Sequence, residues 1–490
     1  MQTTARRVAG GVAWAYAGSV LVMFAQIVYT SVTTRVLSPA AFGAYASAQA
    51  LVALMGYFSL ATLGNTLTRM TVMERSTAGT ALCLATVAGV GAAAATALLA
   101  DIWASVWHTP EAAPLIALWA PAVLLSSLAV IPIALLQRRL RYASAAGIQS
   151  VAPVLGFVVG GILVFVLRSP SALVIGQLAN SATVVGAGLL VVRHEIGLTF
   201  SKKAAQNLLS FSGYLSAQNL THYAFYTLPG LVIARTAGSV ALGFFSRANL
   251  LVTLPMNFIT VGLAKAIYPV MPQVTDTVAR RRALSDVVAI GTFLVWPLLG
   301  LLAGSSPLAV DILFGPGWQP AAEMVVPVCL FAAGNFVYVI LASATESIGW
   351  LKLGSMIQGA WAIALALSTL LTWQFDADPR TYLYGYAIAQ IAIHILQVRV
   401  LSKRGLVPLR IMRHELVGGT MALVVFIVAF GSSQLLDGSS LGVRLVVTGV
   451  VTLGTIVAVL VTLPRVDAGR ALVRRGLMPR ALVRTASGTA

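Results

Sequence analysis

The chain has 490 residues, 58% of them hydrophobic and only 9% charged, with a net charge of +18. A soluble domain carries about 25% charged residues, so a soluble enzyme and a nucleic-acid-binding domain are both excluded; the basic excess reads instead as a marker of cytoplasmic loops. The two cysteines, Cys83 and Cys329, lie in separate apolar segments at no metal-ligand spacing and read as small packing residues, and no cofactor is expected.

Taken in order, fourteen apolar runs are each long enough to cross about 30 Å of hydrocarbon as a helix. They are 10–33, 42–66, 78–100, 113–135, 145–167, 170–192, 211–234, 248–269, 284–304, 322–345, 353–373, 381–399, 416–434 and 441–463. With the N-terminus inside and Arg399 and Arg444 counted with the loops they adjoin at span ends, 25 of the 32 basic residues fall in inner segments and six in outer ones, while Lys265 alone lies deeper within a span. Omitting one central span would invert every later loop and destroy that asymmetry, so both termini are expected to be cytoplasmic. Spans 3 and 5 are rich in Gly and Ala, including Gly89, Gly156, Gly160 and Gly161. Residues this small let helices approach closely within a bundle.

An internal repeat organises the chain. The stretch from Arg35 to Leu54 aligns with Arg235 to Leu254 without a gap, with seven identities in twenty positions: Arg35/Arg235, Ala41/Ala241, Gly43/Gly243, Ala48/Ala248, Leu51/Leu251, Val52/Val252 and Leu54/Leu254. Six spans separate the copies, an even number, so both have one orientation and their pseudo-axis runs along the membrane normal. The expected architecture is therefore an all-α polytopic membrane protein of about 14 transmembrane helices, with two six-helix bundles related by a parallel pseudo-twofold plus two C-terminal helices. Residues 1–192 form the first bundle and 193–210 a cytoplasmic linker with a short surface helix. The second bundle is 211–400, helices 13 and 14 occupy 401–464, and 465–490 is a basic tail suited to anionic lipid.

Ionisable and polar residues within spans are the natural candidates for a transport site. No phosphate-binding GxxxxGK[ST] loop or paired-histidine metal site occurs. The candidates for a substrate cavity are Arg35, Asn65, Arg69, Gln218, Asn219, His222, Tyr226, Arg235, Arg247, Asn249 and Lys265. Arg35 and Arg235 end the first helix of each repeat; two duties fit them, capping a helix C-terminus with the head in the phosphate layer, or lining the cavity. Asn65 falls on Lys265 in the repeat, and Lys265 can either snorkel or face the cavity. Gln218, Asn219, His222 and Tyr226 make one unusually polar stretch, SAQNLTHYAFYTLPG, which is costly against lipid and therefore expected to face inward, with Pro229 and Gly230 able to break the helix. A net positive cavity without an acid in spans 1 and 2 favours an anionic substrate, and phosphate or diphosphate suits the arginine fork.

Four stretches carry a resemblance: TRVLSPAAFGAYASA (34–48), LVIARTAGSVALGFFSRANLLVTLPMNFITVGLAKAIYPVMPQ (231–273), ILFGPGWQPAAEMVVPV (312–328) and ATESIGWLKLG (344–354). Through them the chain resembles the polysaccharide transporter (Wzx-like, O-antigen/exopolysaccharide flippase) family of the multidrug/oligosaccharidyl-lipid/polysaccharide exporter superfamily. The resemblance implies two bundles working by alternating access in the bacterial plasma (inner) membrane. It also implies a lipid-linked (polyprenyl-diphosphate) oligosaccharide as cargo for cell-surface polysaccharide biosynthesis, and a polysaccharide polymerase and glycosyltransferases as partners besides membrane lipids. Many relatives carry an Asp near the position of Pro229, which this chain lacks. The alternative is a MATE-like multidrug/cation antiporter, which would want a carboxylate in the first-half cavity. A fourteen-span major-facilitator antiporter fits less well, because RMTVMERSTAG after span 2 lacks that family's signature, and a non-transporting scaffold of a glycan-assembly complex stays open.

Overall fold

The computed structural model describes residues 2–58, 63–69, 75–197, 199–270, 276–374, 378–409, 411–435, 442–444, 446–451 and 454. Side chains are described for these except 2–15, 65–66, 69, 209–222, 224–225, 258 and 260–270. Among the described residues every regular element is helical: α1 (Gln2–Val36), α2 (Pro39–Phe58), α3 (Leu63–Arg69), α4 (Arg75–Leu98), α5 (Ala100–Val106), α6 (Ala112–Arg138), α7 (Tyr142–Leu167), α8 (Ser171–Val192), α9 (Lys202–Val270), α10 (Thr277–Gly304), α11 (Ser306–Leu313), α12 (Gln319–Ser347), α13 (Leu351–Gln374), α14 (Pro379–Lys403) and α15 (Ile411–Leu435). A single turn of tighter helix, Arg193–Glu195, follows α8.

Twelve of these helices have the length and apolar composition to cross a membrane, and the chain is a multi-pass membrane protein. The difference from fourteen has two sources. Expected spans 7 and 8 share the single helical run α9, which bends at Gly238, where φ 81° and ψ −177° leave the helical region. Only glycine adopts that backbone without strain. The expected fourteenth span, 441–463, lies mostly outside the described residues, with a short apolar helix, Gly442–Val451, at its start. The tail 465–490 lies outside them entirely. Expected span 2 ends earlier than its apolar run, at Phe58, and the remainder becomes the separate short helix α3.

The order of long and short helices repeats along the chain. A long helix, a one- or two-turn helix and another long helix occur as α4–α5–α6 and again as α10–α11–α12, each followed by two more long helices. Trp107, just after α5, and Trp318, just before α12, are both 2% exposed.

By packing, the chain divides into two compact units, Met1–Ser246 with Leu313–Gly315, and Arg247–Ile312 with Pro316–Ala490. The division falls inside α9, because the first part of α9 packs on the first unit. Leu208 is fully buried in the cluster of Leu63, Leu67, Ala81, Ile131 and Leu135, and Tyr223 donates its hydroxyl to the Ala50 carbonyl and sits 5.8 Å from the Tyr57 ring. The segment before α9 is strapped to the start of α4: Gly197 N–H donates to Arg75 O at 3.0 Å, and Ser201 N–H to Thr80 Oγ1 at 2.9 Å.

Small residues set the helix contacts in both units. A Cβ on Gly156 would lie 2.6 Å from Gly176 O, and one on Gly176 would lie 2.6 Å from Gly156 O, so α7 and α8 touch backbone to backbone. In the second unit a Cβ on Gly300 would lie 2.3 Å from Ala422 O, and one on Gly304 would lie 2.6 Å from Phe426 O. The close seam between α10 and α15 therefore also depends on glycine. α10 and α14 start on Asp caps: Asp276 accepts from Val278 N–H and Ala279 N–H at 3.2 and 3.0 Å, and Asp378 accepts from Arg380 N–H at 2.6 Å.

Candidate functional site

The repeat aligned by sequence is also a repeat in space. A Cβ on Gly43 would meet Ser239 O at 1.9 Å, and a Cβ on Gly243 would meet Pro39 O at 1.9 Å. Residues 39 and 239 are partners in the alignment, as are 43 and 243, so the contact is reciprocal. It belongs wholly to the first compact unit. The burial pattern follows it: Phe42 and Leu242 are 1% and 2% exposed, and Ala48 and Ala248 are both fully buried. At the position equivalent to buried Ser47 the second copy carries Arg247, 9% exposed.

Arg35 stands in the last turn of α1, exposed, its guanidinium donating to Ser31 O at 3.2 Å and to Ser31 Oγ. The head thus reaches back one turn onto a carbonyl inside α1, near the negative end of the helix dipole, where a cation is favourable. Arg235 is likewise exposed three residues before the bend at Gly238, with Nη2 3.5 Å from His108 Nε2. His108 follows a small aromatic platform. Trp103 and Trp107 stack 5.6 Å apart, Trp103 Nε1 donates to Ser47 O at 3.0 Å, and Thr109 donates to Ser47 Oγ at 2.9 Å. Trp107 is buried with Ala234 and Leu242. The platform thus rests on α2 on one side and flanks the bend of α9 on the other.

Tyr226 is 47% exposed, and its neighbour Tyr223 turns instead onto α2. Asn249 is half-buried in the second copy of the repeat. The side chains of Asn65, Arg69, Gln218, Asn219, His222 and Lys265 lie outside the described residues, although all six positions are helical: Asn65 and Arg69 in α3, the others in α9.

Several acidic residues of the second unit are paired. Glu323 accepts from Arg380 at 2.6 Å, with both side chains about half exposed, and Asp311 lies 3.8 Å from Arg444 and beside Gln319. A further pair has no counterpart in the sequence reading: His394 of α14 and Glu415 of α15 meet at 3.0 Å, Nε2 to Oε1, with side-chain exposures of 4% and 10%. His394 sits in a polar stripe on α14 with Gln390 and Gln397, all three buried. Gln390 accepts from Trp361 Nε1, and Gln397 donates to Tyr338 O at 3.2 Å. Both His394 and Glu415 line an apolar cavity of about 650 Å³ among α10, α12, α14 and α15, with Trp296, Cys329, Gly334 and Phe426 also in its wall. The available signal was the four- and three-residue spacing of Gln390, His394 and Gln397, which puts them on one face of an otherwise apolar helix. Glu415 was hidden by its position at the edge of the expected span 416–434.

Residues 32–323 match the sequence profile of a family described as "Polysaccharide biosynthesis protein". The chain is 26% identical over 372 residues to the succinoglycan biosynthesis transport protein ExoT of Rhizobium meliloti (strain 1021), covering 74% of this chain and 73% of that one. Its fold is similar to that of the lipid II flippase MurJ in an inward closed conformation, with a TM-score of 0.67, 12% identity, and 91% and 97% of the two chains covered. It is also similar to an inward-facing multidrug resistance MATE transporter of the MOP superfamily, with a TM-score of 0.60, 12% identity, and 80% and 94% covered.

Proposed function

The chain belongs to the polysaccharide biosynthesis protein family, and from that premise we propose that it is a flippase moving a lipid-linked oligosaccharide across the bacterial plasma membrane for cell-surface polysaccharide biosynthesis. The observation that carries this reading is the family match over residues 32–323, which contains both copies of the repeat. The succinoglycan transport relative and the MurJ-like fold support it. Transport by alternating access suits a chain whose sequence carries an internal repeat of one orientation. Both termini are cytoplasmic in this reading, since that orientation places the basic loops inside.

The cargo carries a diphosphate between sugar and lipid. Arg35, Arg69, Arg235, Arg247 and Lys265 supply the cationic groups that would accompany it, and arginine forks match phosphate oxygens in pairs. Asn65, Gln218, Asn219, His222, Tyr226 and Asn249 supply hydrogen bonds to the sugar hydroxyls. A polyprenyl tail has no need of a polar path and stays in the bilayer. A polymerase and glycosyltransferases acting on the same lipid-linked glycan are the expected partners.

Purified protein reconstituted in liposomes with a fluorescent polyprenyl-diphosphate oligosaccharide tests the proposal. Transbilayer movement above that of protein-free liposomes is expected. A rate equal to the protein-free control, with properly folded protein present, would overturn it. A multidrug antiporter would instead move small organic cations in the same vesicles and lower drug susceptibility in cells.

A further inference from the structure

The His394–Glu415 pair stands apart from the residues assigned to the cargo, and its surroundings point to a ligand of its own. It is a buried acid and base in contact at 3.0 Å on neighbouring helices. Imidazole Nδ1, although buried, has no hydrogen-bond partner among the described residues, and the same is true of Gln390 Nε2 and Gln397 Oε1 on the same face of α14. Counting inward from Lys403, His394 lies nine residues, or about 13 Å, from that end of its helix. Glu415 lies four residues into α15. The contact therefore falls near the inner ends of α14 and α15, beside the 650 Å³ cavity that both residues line.

The groups that could compete for the charge are few. From α12 the cavity wall presents the Cys329 thiol, and from α10 and the rest of α15 it presents apolar residues and Thr420. His414 and the exposed Arg413 adjoin Glu415 in α15. On α10, Asp286 lies six residues before Thr292, on which Gly418 packs. α13 meets the stripe through Trp361.

In such a wall the number of protons matters more than their location. With one proton between them the acid and base are neutral overall, whether as an ion pair or as acid and free imidazole. Without it the pair carries one negative charge against apolar side chains, which is unfavourable unless water or a cation reaches it. With two it carries one positive charge under the same penalty. The closed α14–α15 contact and the singly protonated pair therefore go together, and loss of the proton goes with opening of that contact to water. We propose that His394 and Glu415 form a proton-binding site buried between α14 and α15, and that its occupancy biases the conformational equilibrium of the transport cycle. The bias equals the difference in proton affinity between the conformations. Only this second clause rests on the transport reading; the proton site stands on the pair itself.

Two measurements on the full-length protein separate these parts. The first is infrared difference spectroscopy in detergent micelles between neutral and acidic pH, which needs no cargo. Wild type is expected to show carboxyl or carboxylate and imidazole bands that change together with pH, and these bands should be missing in Glu415→Gln and altered in His394→Gln. Both variants keep the size and hydrogen-bonding capacity of the original side chain, and their thermal unfolding profiles check that they fold. A difference spectrum unchanged by Glu415→Gln overturns the site. The second measurement is glycan-lipid translocation in liposomes under an imposed pH gradient. Wild type is expected to accelerate, whereas Glu415→Gln keeps its gradient-free rate and loses the acceleration. Equal acceleration in the two, or none in wild type, overturns the coupling. A wild type that moves no glycan lipid at all refutes the flippase reading while the infrared result still decides the proton site.

Discussion

Arg35 and Arg235 spend their charge at the ends of helices, exposed, one on Ser31 and the other beside His108. Contacts of a cation with a helix C-terminus are worth about 0.3–1 kcal/mol, so Arg35→Ala should leave the unfolding temperature nearly unchanged. If the same side chains meet the cargo, Arg35→Ala and Arg235→Ala will each lower glycan export several-fold at unchanged protein level, as read by surface polysaccharide and immunoblot together. Asp378 offers a pH-dependent case. Partial burial raises its carboxyl, but the Arg380 backbone N–H and charge and the Thr381 contacts outweigh this and hold it below its ordinary value. A depressed folded value means that its stabilising effect is present at neutral pH and is lost as pH falls through that value. Asp378→Ala should cost about 1 kcal/mol at neutral pH and less in strong acid, measured by thermal unfolding in detergent. The arginines were legible because a repeated charge beside an apolar run stands out in sequence. The partner of each was not: His108 is 127 residues from Arg235, and no local pattern encodes a contact that distant.

At the scale of elements, glycine decides how near two helices come. Gly156 and Gly176 have no room for a methyl group against the opposing carbonyls; backbone, unlike the end of a flexible side chain, cannot turn aside. Gly176→Ala should therefore cost about 1–3 kcal/mol, and Gly300→Ala on the α10–α15 seam should cost a similar amount. An unchanged unfolding temperature in either would show that the helices separate freely. Gly238 is a different case, open in space but held at φ 81°. Gly238→Ala should lose about 1–3 kcal/mol from its backbone, and Gly238→Asn a similar amount, because ψ −177° lies outside the left-handed helical region that asparagine tolerates. The long helices were readable from apolar runs alone, and the close packing expected around Gly156 and Gly160 is found between α7 and α8. The short helices α5 and α11 were not readable, since seven or eight residues give too few turns for a periodic signal. The union of spans 7 and 8 in one bent run was also missed, because the bend consists of one residue's dihedral angles.

For the whole molecule, the sequence carries its architecture twice, and that redundancy made the class of fold legible. Of the seven identities between residues 35–54 and 235–254, five have the same degree of burial in both copies, and Gly43 and Gly243 make a reciprocal contact. The asymmetry of the basic loops predicts the orientation. A single cysteine introduced at Arg380, in a chain with Cys83 and Cys329 replaced, should react with an impermeant thiol reagent in intact cells, whereas one at Arg282 should react only after permeabilisation. The opposite labelling would reverse the topology derived from the basic loops. The His394–Glu415 pair was beyond this reading, because it lies where α14 meets α15, and α15 follows the second six-helix bundle expected from sequence. The crossing of Gly43 over Ser239 and of Gly243 over Pro39 has a further consequence. A surface that meets its own duplicate in this reciprocal way is the signature of twofold self-association. A half-length ancestor would have made the same contact between two separate copies of itself. On that view the crossing is older than the fusion that joined the halves, and a bulky residue acquired at either glycine would have been felt at both ends of a dimer before it could be tolerated at one end of a single chain.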